Sequence, residues 1–119
     1  GSYNVFDLCG VKIEPVEAAN KNHSPLTTSG YLLLFDGVTV YFASDTNRVA
    51  GMEALARRKI DYAFFPIDGQ YNMGPQEATE CADLIGAAHN VPIHWFSADP
   101  ARFHAKNTLR MTPGETIEL

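Results

Sequence analysis

The sequence predicts an α/β or α+β domain, a mixed sheet with helices on one face, and three observations carry that prediction. Two apolar runs joined by Asp36-Gly37 read as a tight β-hairpin. Ala78, Cys81, Ala82 and Ile85 follow the i, i+3, i+4, i+7 spacing of a helix with one buried face. The first half of the chain alternates as antiparallel strands do, whereas the second half alternates helix with strand, which places helices against a sheet face.

The elements follow in order. Residues 3–8 and 11–16 alternate in hydrophobicity around Cys9-Gly10 and predict a first hairpin. Residues 17–29, rich in Asn, Ser and Thr, predict a long loop of the kind that often carries function. Residues 30–35 and 38–43 form the second hairpin. Val49, Met52, Leu55 and Ala56 share one helical face, and Arg57, Arg58 and Lys59 fall at the end of that helix, where cations suit the dipole. Residues 60–65 are a nearly continuous apolar run, which predicts a strand covered on both faces. Gly74 is placed as an N-cap and Pro75 as the first residue of the striped helix. His89 falls at that helix's C-terminus and residues 91–94 read as a strand. Asp99 caps a short helix over 99–106, and residues 108–111 and 116–118 predict a terminal hairpin around Pro113-Gly114.

With 119 residues the chain is one domain or less, and an apolar fraction of 45% excludes disorder as its main state. Gly1-Ser2 reads as a cloning remnant. Nine Lys+Arg against fourteen Asp+Glu give a net charge of −5, which argues against nucleic acid as a partner. No apolar run of membrane-spanning length and no signal-peptide pattern occurs, so the expected setting is the cytoplasm, without a membrane. The two cysteines are far apart and form no scaffold; Cys81 reads as a buried thiol.

Three residues stand where chemistry collects in α/β sheets. Asp45 follows one predicted strand, His94 ends another, and His23 lies in the long loop. A carboxylate and two imidazoles suit a borderline divalent cation such as zinc. Spacing alone leaves two plainer readings open: a hydrogen-bonded structural role for His94, and a turn or cap role for Asp45 ahead of Thr46-Asn47.

Longer segments sharpen this. Residues 30–46 (GYLLLFDGVTVYFASDT) resemble the strand pair and Gly-Asp-Thr turn of metallo-β-lactamase-fold hydrolases. Residues 60–67 (IDYAFFPI) look like the "IDVALLPIG" strand of the branch that includes lactonase-like and UPF metal-dependent hydrolases. Residues 70–78 (QYNMGPQEA) look like its "xYTMGPEEA" segment, residues 90–95 (NVPIHW) like its "VVPIHY" strand, and residues 17–25 (EAANKNHSP) like its "PAYNxxKxHP" segment. The order agrees along nearly the whole chain. Ser44 stands for the usual glycine, Trp95 for the usual tyrosine, and Asp68 for a common glycine.

The resemblance implies a role for each matching residue. Asp45 matches the aspartate that bridges two metals, His94 the last histidine ligand, and His23 a further histidine ligand. Thr46, Asp68, Tyr71 and Trp95 would shape a small-molecule pocket. The family's HxHxDH block is absent; the remaining histidines, His89 and His104, read as structural or surface residues. The resemblance is therefore to the C-terminal half of an αββα sandwich. It implies two divalent metals, zinc by donor set, per complete site. It further implies a hydroxide held between them, used to hydrolyse an ester, lactone, amide or phosphodiester. The N-terminal half would come from elsewhere, or another copy of the chain would cover the exposed sheet. Alone, the chain is expected to be inactive. The alternative is a non-catalytic binding or assembly module that reuses the half-fold.

Overall fold

Two hairpins build one half of a sheet whose other half is parallel. The computed structural model describes residues 6–18, 29–43, 46–69, 72–93 and 100–109. Strands β1 (Phe6–Leu8) and β2 (Val11–Glu17) pair antiparallel, with Phe6 opposite Ile13. Strands β3 (Ser29–Phe35) and β4 (Val38–Phe42) do the same, with Phe35 opposite Val38. Both turns place two successive residues at positive φ: Cys9 at 52° with Gly10 at 83°, and Asp36 at 49° with Gly37 at 76°. That conformation matches strand twist and explains why X-Gly pairs stand there.

Beyond β4 the connections become helical and the pairing parallel. Helix α1 (Met52–Leu55) leads to β5 (Tyr62–Pro66), and helix α2 (Pro75–Ile85) leads to β6 (His89–Ile93). The strand order is β1-β2-β3-β4-β5-β6, antiparallel as far as β4 and parallel from β4 to β6. The mixed sheet is thus as expected. Residues 107–109 continue it beyond β6 through a parallel bridge between Asn90 and Thr108.

α2 matches its sequence signals closely. Gly74 is extended ahead of Pro75, and Gly86, left-handed, returns its N–H to Ala82. Ala78, Cys81, Ala82 and Ile85 are all buried. They pack with Met52, Leu55 and Phe103 against Leu32, Tyr41, Ala63 and Phe65 of the sheet. Tyr41 and Phe65 meet edge to face at 5.8 Å between ring centroids.

Four expectations need correction. Helix 49–56 is reduced to the single turn of α1, and Ala56 is exposed, because Gly51 stands at its N-cap and the chain before it is held by α2. The strand expected at 60–65 begins at Tyr62. Asp61 is anchored first, its carboxylate accepting the Thr39 N–H at 2.8 Å. The helix expected over 99–106 is a 3-10 turn at Pro100–Arg102. Its continuation is lost because the His104 N–H goes to Thr79 Oγ1 and the Lys106 N–H to Asp83 Oδ1, both side chains of α2. His89 opens β6 instead of ending α2, and stacks on Tyr62 at 4.9 Å.

The fourth correction concerns the two faces of β5. Ala63 and Phe65 are fully buried beneath the helices, while Tyr62 and Phe64 on the opposite face are only half-buried. Tyr31, Phe42, Phe64 and Val91 are register partners on that opposite face. The apolar run therefore meets a full layer on one side only among the described residues. The long loop over 17–29 (beyond Ala18) and the terminal hairpin (beyond Leu109) lie outside the described residues.

Candidate functional site at the carboxyl edge of the parallel strands

β4, β5 and β6 run the same way, so their carboxyl ends open on one edge. The ladder holds to its last rungs: the Ala43 N–H donates to Phe64 O, and the Ile67 N–H to Ile93 O, both at 3.0 Å. Asp45 follows Ala43 by two residues, and His94 follows Ile93 directly. Strands two apart in a sheet are separated by roughly 10 Å. Side chains that leave β4 and β6 at this edge are therefore within range of a common small ligand.

Buried polar residues mark the same edge. Thr46, Asp68 and Asn72 are at most 7% exposed, although each lies in a connecting segment. Asp68 Oδ1 accepts the Asn72 N–H at 3.0 Å and Oδ2 accepts Asn72 Nδ2 at 3.3 Å. The Gly69 N–H donates to Met73 O, and the Met73 N–H donates to Thr46 O at 3.1 Å. Thr46 Oγ1 donates to Asn47 O at 2.6 Å. From the other side, Glu77 in the first turn of α2 accepts the Arg48 N–H at 2.8 Å. The segment after β4 is thus stitched to the segment after β5.

Of the residues singled out from the sequence, Thr46 and Asp68 are both brought to this edge. Their described bonds build its loops. Asp45, His94, His23, Tyr71 and Trp95 lie outside the described residues. Among the described residues no group of three His, Cys, Asp or Glu could hold a metal ion. His89 and His104 are both exposed. The carboxylate and imidazole that the chain delivers beyond β4 and β6 are nevertheless the donor types a borderline divalent cation takes. Asn72 and Glu77 were missed from the sequence. An acid at the third position of a helix that starts with Gly-Pro was the available signal for Glu77.

The thiols offer no second centre. Cys81 is fully buried, and burial together with nearby Glu77 pushes it up to about 11. Cys9 is exposed in the first turn. No described helix is long and apolar enough to cross a membrane.

Comparison with known proteins agrees with this geometry. A family model described as "Beta-lactamase superfamily domain" matches residues 2–95. A UPF0173 metal-dependent hydrolase of Thermococcus onnurineus is 33% identical across 99% of this chain and 60% of its own length. One from Deinococcus radiodurans is 35% identical across 76% of this chain and 45% of its own. The chain thus spans about half the length of the curated relatives it matches. Among solved structures, a metallo hydrolase from Ignicoccus hospitalis superposes with a TM-score of 0.72 at 22% identity, covering 96% of this chain and 57% of that one. The metallo-beta-lactamase fold protein YhfI from Bacillus subtilis gives a TM-score of 0.72 at 12% identity, covering 92% and 49%. Both likenesses concern the fold.

Proposed function

The chain belongs to the beta-lactamase superfamily, and from that premise we propose that it is the C-terminal half of a metal-dependent hydrolase centred on the carboxyl edge of β4–β6. The observation that carries the reading is the parallel register that sets Asp45 and His94 at neighbouring strand ends. Asp45 would bridge two divalent metals, zinc by donor chemistry. His94 and His23 would serve one sphere each. When bound, the metals supply a lowered pKa for water and polarise the substrate oxygen.

This chain's own residues do the rest. Thr46 and Asp68 fix the two loops between which a substrate would sit, and Tyr71 and Trp95 wall it. The substrate is a small molecule with an ester, lactone, amide or phosphodiester bond. The missing ligands would come from an N-terminal half. Its sheet would cover Tyr31 and Phe42, which keep 37% of their surface exposed. The share of the relatives' length left unmatched supports this reading over a second copy of the chain.

The test is hydrolysis of a panel of chromogenic esters, lactones and phosphodiesters. The full-length protein should turn over one class, lose activity with chelator, and regain it with Zn²⁺. The 119-residue chain alone should be inactive. Chelator-sensitive turnover by the chain alone would contradict the half-site. A full-length protein that binds no metal would favour the non-catalytic module.

A further inference from the structure

The three residues after Asp45 are held by one short stretch of chain. Thr46 O accepts the Met73 N–H at 3.1 Å. Arg48 donates its N–H to Glu77 Oε2 at 2.8 Å, and Asn47 Nδ2 lies 3.5 Å from Glu77 Oε1. An ionised carboxylate that accepts a backbone N–H makes one of the stronger hydrogen bonds available. Glu77 itself is fixed because it rides on the first turn of α2, which buries Ala78, Cys81, Ala82 and Ile85 in the core. The other end of the stretch is closed by the Asp68–Asn72 pair, which ties residue 72 back to the end of β5. The rigid core is in this way transmitted to the backbone that immediately follows Asp45.

We propose that Glu77 is a positioning residue for Asp45: by holding residues 47 and 48 against α2 it sets the backbone from which the Asp45 carboxylate reaches the metals. The proposal rests on the metal-centre reading above. Two hydrogen bonds to one carboxylate fix both the distance and the twist of the segment, whereas a single backbone bond at Thr46 leaves it a hinge. Shortening the side chain by one methylene withdraws the carboxylate from Arg48 N while leaving the charge at the helix start, where it suits the dipole.

The experiment is a Zn²⁺ titration of the metal-stripped full-length protein against a chromophoric chelator. Glu77→Asp is expected to weaken Zn²⁺ binding about tenfold, the lower end of what groups supporting a ligand contribute. Glu77→Gln, which keeps the reach and one accepting oxygen, should restore most of it. Glu80→Ala, exposed on the same helix, should leave binding unchanged, and all three should melt close to wild type without metal. Wild-type Zn²⁺ affinity in Glu77→Asp, with Asp45→Ala defective, overturns the proposal alone. Wild-type affinity in Asp45→Ala overturns the ligand assignment and the proposal with it. A metal-free Glu77→Asp that melts far below wild type assigns Glu77 to fold stability and also overturns it.

Discussion

Gly30 lies against the carbonyls of Phe42 and Ala43 so closely that a Cβ on it would stand 2.9 Å from one oxygen and 3.0 Å from the other. Both are backbone atoms and cannot swing away. The contact lies two residues before Asp45, at the point where β4 ends. Gly30→Ala is expected to destabilise the fold by about 1–3 kcal/mol, as overpacking does. Chemical denaturation reads this directly; an unchanged midpoint would show that the two strands separate without cost.

Glu14 and Arg58 form a bidentate pair at 2.9 and 2.7 Å that ties β2 to the segment after α1. The guanidinium holds the Glu14 carboxyl below its ordinary value of 4.5, with burial opposing it weakly. A lowered carboxyl pKa contributes stability that is present above that value and lost as pH falls through the depressed one. The side chains are 38% and 26% exposed, so Arg58→Ala should cost only about 0.2–1 kcal/mol at neutral pH. That cost should vanish below pH 3 and shrink in molar salt. Urea titrations of both proteins at two pH values give the comparison, and an equal difference at both would remove the ion pair as its cause.

The two thiols should react at very different rates. Cys9 is exposed, whereas Cys81 is fully buried with its pKa pushed up to about 11. In native protein, Ellman's reagent should modify Cys9 promptly and reach Cys81 only on unfolding. Prompt modification of both would mean that α2 opens readily from the sheet.

Tyr31 and Phe42 should matter to association more than to folding of the chain. Each keeps 37% of its surface exposed on the sheet face away from α2. Replacing both by Ser should leave the melting temperature of the isolated chain little changed. It should weaken capture of a separately expressed N-terminal half, or self-association where that half is absent. Sedimentation at micromolar concentration measures either. A wild-type chain that stays monomeric and binds no such half would count against a covered face.

Local chemistry made most of the fold legible. Asp36-Gly37 and Cys9-Gly10 announced their turns because few residues tolerate positive φ, and Gly74-Pro75 with its apolar stripe announced α2. What failed was set by distant partners. The helix expected over 99–106 stops because Thr79 and Asp83 take the N–H groups of His104 and Lys106. The apolar run of β5 overstated its burial because hydrophobicity reports what a strand can bury, not which layers are present. The candidate site was legible as strand ends, and Thr46 and Asp68 do lie there. Glu77 was missed because its partners, Asn47 and Arg48, are about thirty residues away in sequence.

The most direct test of the account is the metal content of the full-length protein by mass spectrometry, for wild type, Asp45→Ala and His94→Ala. The account predicts two divalent ions per complete unit and a clear loss in both variants while each stays folded. Unchanged metal content in folded Asp45→Ala would contradict it.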